Sequence, residues 1–214
     1  KGLDAAFVNI GTGRDGFLAL PEARPLRQAP DGGGNSIGDY VNEGDAVVVQ
    51  VQRDPVEDKG SKLTAQITLA GADLVLRPLQ PGVSISRRID DADDRERLTA
   101  LVEGLLPDGL EDQSGFIVRT AAREATDDAL TAVAGRLFDR WRDIRHKRVN
   151  AKAPALLFAG PGSGCRAVRD FGGPGINKIL VDDTQALAEV NAFCDAEAPA
   201  LAGLAEHHHG AAAL

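Results

Sequence analysis

The stretch SGFIVRTAAREATDD, residues 114 to 128, joins a short apolar run to the start of an amphipathic segment. The run GFIVRT, residues 115 to 120, has the length and apolar content of a strand. Thr126, followed by two aspartates, has the pattern of a helix cap with an acidic first turn, and predicts a helix that begins there. Arg119 and Thr120 therefore lie in a loop after a strand, and Thr120 is not needed as a cap.

Arg119 and Thr120 allow two interpretations. An arginine fork binds two phosphate oxygens, and a neighbouring threonine hydroxyl or backbone N–H adds a further short hydrogen bond. A terminal monophosphate carries nearly two charges, so such a pocket could distinguish a phosphorylated 5′ end from an internal position. On spacing alone, a strand end followed by a turn is the commoner structure.

The elements around this stretch change in type along the chain. The first third has alternating runs at 5 to 10, 15 to 20, 45 to 52 and 62 to 71, which are typical of a small oligonucleotide-binding barrel. The middle third predicts strands at 72 to 79, 83 to 89 and 115 to 120, with helices at 93 to 106 and 126 to 148. Apolar runs at 155 to 160 and 177 to 183 and a helix at 184 to 195 indicate an unfinished α/β unit.

Composition indicates a soluble globular chain, and we expect it in the cytoplasm. Its 214 residues are 43% hydrophobic and 26% charged, with no apolar run near the ~20 residues needed for a membrane span. Cys165 and Cys194 lie far apart and fit neither a disulfide framework nor a zinc knuckle. A net charge of -8 excludes attraction of nucleic acid by the whole surface, so any such role requires local patches. The cationic segment 136 to 152 is most simply a solvated helix end.

No complete catalytic centre is visible. The glycine-rich stretch 160 to 175 lacks the spacing of a phosphate-binding loop, and no serine or cysteine nucleophile has a suitable histidine partner. Groups suited to RNA remain: Phe7 and Phe17 on predicted strands, and the lysines of DKGSKLT, residues 58 to 64. Aromatic side chains stack on bases and lysines neutralise phosphates, although burial in the core is the commoner role of a phenylalanine.

The order of several motifs resembles the ribonuclease E/G family of bacterial endoribonucleases. These motifs are GLDAAFVNIGTGRDGFLAL, EGDAVVVQVQRDPVEDKGSKLT, ITLAGADLVLRP, ISRRI and GFIVRTAA, and they span nearly the whole chain in order. The resemblance implies an α+β multidomain chain with an OB-fold, S1-type β-barrel that lacks its first strand over residues 1 to 66. A mixed α/β 5′ sensor domain over 67 to 164 and a partial RNase H-like α/β subdomain over 165 to 214 would follow.

The resemblance also implies roles for individual residues. Contacts with single-stranded RNA are expected from Phe7, Phe17, Lys59, Arg87 and Arg88. The 5′ monophosphate is expected to be held by Gly71, Val75, Arg119 and Thr120. This sequence departs from the family at Ala122, where a glycine is expected, and the change affects the loop behind the pocket.

The resemblance implies catalysis outside these residues. Aspartates of a DNase I-like domain would hold Mg²⁺ for phosphodiester hydrolysis, and we expect them, like the cysteines that join family protomers into oligomers, beyond Leu214. We therefore expect no catalytic or metal-binding residues in this chain. The alternative is a non-catalytic S1-type RNA-binding or scaffold protein. A third interpretation, a complete metal-dependent nuclease within these residues, requires RNA cleavage by this chain alone, which we do not expect.

Overall fold

The structure is a computed structural model that describes residues 4–27, 34–107, 113–173 and 175–210. The helices are α1 (Leu20–Ala23), α2 (Ala92–Gly104), α3 (Asp127–Asn150), α4 (Ser163–Phe171) and α5 (Thr184–Glu197). The strands are β1 (Ala5–Val8), β2 (Gly16–Ala19), β3 (Gln50–Arg53), β4 (Lys62–Thr64), β5 (Leu69–Ala70), β6 (Leu74–Arg77), β7 (Gly82–Ile85), β8 (Gly115–Val118), β9 (Ile179–Val181) and β10 (Ala205–His207). The chain is thus a mixed α and β structure with several sheets.

The first sheet contains four strands in the order β1-β2-β4-β3. β1 is antiparallel to β2, β2 is parallel to β4, and β4 is antiparallel to β3. Leu18 and Leu63 are fully buried beneath this sheet, where they pack with Tyr40 and Ala23. The described strands form an open sheet, and closure into an OB-fold barrel stays a prediction.

The second sheet has the order β5-β6-β8-β7 and carries the largest core. β8 pairs antiparallel with β6 and parallel with β7, and both Phe116 and Val118 of β8 are fully buried. Leu98 of α2 and Leu130 of α3 belong to this core, because each helix turns its apolar positions inward. α3 begins where predicted, since the Thr126 hydroxyl accepts a 3.3 Å hydrogen bond from the N–H of Ala129.

Two predicted strands are shorter than expected. Of residues 45 to 52, only Gln50 onward is in a strand; before it, Val48 packs against the core of the second sheet and Val49 against that of the first. Residues 62 to 71 divide into β4 and β5 because the Thr64 hydroxyl accepts a 2.9 Å hydrogen bond from the N–H of Gln66. This local turn ends the ladder.

The apolar run at residues 155 to 160, which was expected to supply a strand to the α/β unit, does not form one. These residues lie outside regular structure, and Leu156 is exposed. The run is apolar, but no neighbouring strand pairs with it among the described residues. An apolar run without a partner strand cannot satisfy its backbone groups as a sheet does.

The last part of the described chain has its own core. β9 and β10 form a parallel pair, and Cys165 of α4 packs with Val190 and Cys194 of α5. Glu197, at the end of α5, accepts hydrogen bonds from Arg136 and Arg140 of α3 at 3.3 and 2.7 Å. Part of the cationic segment 136 to 152 therefore holds α5 instead of standing free in solvent.

Gly115 and Gly135 provide a test of the second sheet. A Cβ at Gly115 would lie 2.2 Å from the carbonyl oxygen of Gly82, whereas a Cβ at Gly135, in the middle of α3, meets no atom within 4 Å. We expect Gly115→Ala to lower the free energy of unfolding by about 1–3 kcal/mol through overpacking. Gly135→Ala should raise it by about 0.5–1 kcal/mol, because alanine favours helix. Chemical denaturation measures both; equal effects would contradict this packing.

Candidate nucleic-acid interface

The outer face of the first sheet carries two phenylalanines and a lysine. Phe7 on β1 lies opposite Phe17 on β2, and their ring centroids are 5.9 Å apart in an edge-to-face arrangement. Lys62 on β4 lies opposite Phe17 on its other side. Because side chains alternate along a strand, buried Leu18 points to the core while these three point away from it. Phe7 is 70% exposed, so it is available for stacking. We call Phe7, Phe17 and Lys62 the aromatic face.

Lys59 lies beside this face on a turn and not on a strand. The turn is closed by a bridge between Val56 and Lys59, and Arg14 donates a 2.9 Å hydrogen bond to the carbonyl oxygen of Glu57 within it. Lys59 itself is exposed. The sequence analysis named both lysines of DKGSKLT and assigned RNA contact to Lys59 alone, whereas Lys62 is the lysine that lies exposed on β4.

Arg119 is held at the end of β8 by the chain segment that precedes β6. Its Nη1 donates to the carbonyl oxygens of Gly71 and Ala72 at 3.0 and 3.1 Å, and its backbone N–H donates to the carbonyl oxygen of Asp73 at 2.8 Å. Gly71 is enclosed, since a Cβ there would lie 2.9 Å from a methyl group of Val133. The structure thus brings Gly71 and Arg119 together, and it fixes one edge of the guanidinium.

The other edge of the Arg119 guanidinium already holds an anion. Its Nη2 donates a 2.9 Å hydrogen bond to Oδ1 of Asp170 on α4, and both side chains are about one-third exposed, at 27% and 34%. Arg169 also binds this carboxylate through two atoms, from Nε to Oδ1 at 3.0 Å and from Nη2 to Oδ2 at 2.9 Å. The Arg169 hydrogen bond and, to a smaller extent, Arg119 hold the pKa of Asp170 below its usual value.

Thr120 belongs to a hydroxyl pair next to Arg119. Its Oγ1 lies 3.1 Å from Oγ of Ser86, and the two hydroxyls share a hydrogen bond. Arg87 and Arg88 lie exposed on the turn that follows, where the backbone N–H of Arg88 donates to Ser86 Oγ at 3.3 Å. Arg95 of α2 secures this turn by donating to the Ser86 carbonyl oxygen at 3.2 Å. Sequence reasoning missed Ser86 and Arg95, although Ser86 directly precedes the arginine pair. We call Gly71, Ser86, Arg119 and Thr120 the phosphate pocket, after the ligand that the family resemblance implies for it and that stays a prediction.

A second carboxyl group lies at the edge of the phosphate pocket. Burial raises the pKa of Asp73, while the charges of Arg119 and Arg136 oppose that rise. Each of the carboxyls around Arg119 repels an incoming anion when it is ionised. An anion that binds the Arg119 fork must therefore compete with nearby carboxylates.

Val75 is separate from the hydrogen-bonded cluster around Arg119. It lies on β6 directly opposite Ile117 of β8, and both side chains are half-buried on the outer face of the second sheet. The buried neighbours Leu74 and Leu76 point into the core instead. Val75 thus offers an apolar surface on the same sheet as the phosphate pocket.

The described residues do not provide a metal site. Across the four described ranges, no group of three or more histidine, cysteine, aspartate or glutamate side chains is placed to hold a metal ion. The Mg²⁺ that the family resemblance implies, at residues outside this chain, stays a prediction. Among the described helices, none has the length and apolar character to cross a membrane.

Comparison with known proteins identifies the family. The Ribonuclease E/G family profile matches residues 68–214, more than half of the chain. The chain therefore belongs to the ribonuclease E/G family. It is 36% identical over 193 residues to Ribonuclease E of Nostoc sp. and 34% identical over 181 residues to Ribonuclease E of Synechocystis sp.. It is 32% identical over 206 residues to Ribonuclease G of Haemophilus influenzae.

These alignments cover most of this chain and a smaller part of each relative. They include 90%, 84% and 94% of this chain, and 27%, 26% and 41% of the three relatives in the same order. The chain thus spans between about a quarter and two fifths of the length of these curated relatives. The activity of a full-length family member is therefore assigned to this chain only as a proposal.

Proposed function

We propose that this chain is the RNA-binding and 5′ monophosphate-sensing portion of a ribonuclease E/G-type endoribonuclease that cleaves single-stranded RNA. One observation carries the proposal: the Arg119 fork, fixed on one edge by backbone carbonyls, holds an anionic oxygen on its other edge. Family membership supports it. The first sheet is then the S1-type RNA-binding unit, and the metal-dependent cleavage belongs to parts of the protein outside these residues.

In this proposal the aromatic face binds the body of the RNA. The exposed Phe7 ring stacks on a base, Phe17 supports it edge-on, and Lys62 neutralises a neighbouring phosphate. Stacking does not depend on base identity, because every base has a π face. This surface therefore gives affinity without strict sequence preference.

The phosphate pocket then receives the 5′ end. A terminal phosphate oxygen takes the Asp170 position on Nη2 of Arg119, and a second oxygen accepts from the Thr120 hydroxyl. Asp170 is not left unpaired by this exchange, since Arg169 keeps both of its own hydrogen bonds to the carboxylate. The exchange thus leaves the partly exposed Asp170 carboxylate paired with Arg169.

Arg119→Lys tests the sensor directly, because lysine keeps the charge and loses the fork. We expect binding of 5′ monophosphate RNA to weaken about 10- to 100-fold, the effect of losing one or two charge-assisted hydrogen bonds. Binding of the 5′ hydroxyl RNA of the same sequence should change less than about twofold. Fluorescence anisotropy with the two oligonucleotides measures both.

Arg142→Ala is the matched control, since it removes an exposed cation of α3 that pairs only with its helix neighbour Asp139 among the described residues. It should leave the ratio of the two affinities unchanged. If Arg119→Lys lowers the affinity for both RNAs by the same factor, Arg119 does not sense the 5′ monophosphate.

Asp170→Asn tests the exchange. The substitution removes the competing carboxylate, so we expect 5′ monophosphate RNA to bind about 5- to 20-fold more tightly. The 5′ hydroxyl RNA should be unaffected, because it brings no terminal charge to the pocket. Asp182→Asn, which removes the same charge at an exposed loop position, is the control. Weaker monophosphate binding by Asp170→Asn would instead make Asp170 a positioning residue for Arg119.

Phe7→Ala and Lys62→Ala test the aromatic face. Loss of one stacked base should weaken RNA binding by about 1–3 kcal/mol for Phe7→Ala, with little change in Tm because the ring is mostly exposed. Lys62→Ala should reduce the slope of log K against log salt by about 0.7, the value for one phosphate of a single strand. The exposed Lys152→Ala is the control. A large fall in Tm for Phe7→Ala would place Phe7 in the core and contradict this surface.

A further inference from the structure

A cavity of about 440 Å³ lies between the two four-stranded sheets. Its walls come from β3 and β4 of the first sheet, β6 and β8 of the second, and the segments that connect them. The lining contains four glutamines, two threonines, one arginine and two apolar side chains: Gln50, Gln52, Gln66, Gln80, Thr64, Thr68, Arg77, Val51 and Ile117. We call it the amide cavity.

The chemistry of this lining favours one class of ligand. Among the described residues that line the cavity there is no carboxylate, which a metal ion would need, and Arg77 is the one cation. Amides and hydroxyls present neutral donors and acceptors side by side. The edge of a nucleobase presents the same kind of pattern, with carbonyl oxygens and ring nitrogens beside amino or imino groups.

Part of this hydrogen-bonding capacity is already used in fixing the walls. Gln50 is engaged on both sides of its amide by Thr68, donating to the carbonyl oxygen at 3.0 Å and accepting from the N–H at 2.9 Å. Gln80 donates to Oε1 of Gln66 at 3.1 Å, and Gln66 donates in turn to the carbonyl oxygen of Pro21 at 3.4 Å. These bonds orient the amides before any ligand arrives, which lowers the entropy cost of binding.

Other hydrogen-bonding groups of the lining have no partner among the described residues. Arg77 donates from Nη2 to the carbonyl oxygen of Gly82 at 3.0 Å, but its buried Nε has no hydrogen-bond partner among the described residues. No described residue donates to Oε1 of Gln80 either. A buried N–H without a partner is unfavourable, and a ligand acceptor that reaches it removes that cost. One donor and one acceptor in the lining thus lack a protein partner among the described residues.

Strand register connects the amide cavity to both predicted RNA-binding surfaces. Gln50 and Thr64 lie opposite each other on β3 and β4, and Thr64 is two positions along β4 from Lys62 of the aromatic face. Ile117 lies opposite Val75, on the strand that leads to Arg119. The amide cavity thus shares strands with both predicted RNA-binding surfaces.

We infer that the amide cavity binds one nucleobase of an RNA strand, with Arg77 Nε donating to a base acceptor and Gln80 Oε1 accepting from a base donor. The inference rests on the proposed RNA binding and extends it, because it adds hydrogen-bonded base recognition to stacking and phosphate contacts. The apolar side chains of Val51 and Ile117 contact the base faces. The cavity therefore gives the chain a preference at one nucleotide position.

The test combines an abasic scan with Gln80→Leu, which keeps the approximate size of the side chain and removes its amide. A 5′ monophosphate oligonucleotide is prepared with an abasic ribonucleotide at each position in turn, and affinity is measured by fluorescence anisotropy. At one position we expect base removal to weaken binding to the unsubstituted protein about 3- to 10-fold, as for loss of a neutral hydrogen bond. In Gln80→Leu, base removal at that position should weaken binding clearly less, because the hydrogen bond from Gln80 is already lost and only the remaining contacts depend on the base.

Gln185→Leu, at an exposed position on α5, is the control and should keep the full effect of base removal. Arg77→Lys, which keeps the positive charge and removes the Nε donor, is a second variant should Gln80→Leu destabilise the fold. Base removal that costs the same in the unsubstituted protein and in the cavity variants at every position would overturn the inference. If the unmodified RNA binds normally but base removal and the cavity substitutions act independently, the base site in the cavity is refuted and the proposed function is not. If the unmodified RNA does not bind, both the proposed function and the cavity site are refuted.

Discussion

The position of β8 at the centre of the second sheet controls the geometry of the candidate site. β8 pairs with β6 on one side and β7 on the other, with Phe116 and Val118 fully buried beneath it. Its last residue is followed at once by Arg119, so the two ladders place the guanidinium against the segment before β6 and the Thr120 hydroxyl against the residue after β7. A shift of one residue in either ladder would turn the buried side chains outward and separate these groups.

Local sequence patterns predicted those parts of the fold that depend on local forces. The start of α3 at Thr126 and the strand before Arg119 follow from capping and from a short apolar run, and both are confirmed. Residues 155 to 160 show the limit of this reasoning, because an apolar run becomes a strand only when another strand pairs with it. The pairing partner is a long-range property that periodicity does not contain.

In the candidate site, too, neighbouring residues could be predicted from the sequence and long-range contacts could not. The resemblance to the family pointed to Arg119 and Thr120 as a pair, and their assignment to RNA stays a prediction. Asp170 and Ser86, which contact them, lie 51 and 34 positions away along the chain, and no spacing rule connects them. The opposite error occurred in the cationic segment 136 to 152, where Arg136 and Arg140 were expected in solvent but bind Glu197. In an acidic chain of net charge -8, the partners of arginine side chains are set by tertiary contacts.

On the proposed function, the carboxylate beside Arg119 also determines which phosphates the pocket selects. An internal phosphodiester carries one negative charge, as Asp170 does, so exchanging one for the other brings no electrostatic gain. A terminal monophosphate carries about 1.5 to 2 charges near neutral pH, so it gains attraction to Arg119 when it displaces the carboxylate. The Asp170 carboxylate thus lowers the affinity of Arg119 for both kinds of phosphate, and it lowers the affinity for the internal phosphodiester more. Specificity is a difference of two affinities, and a built-in competitor can supply it where a free arginine would bind both phosphates.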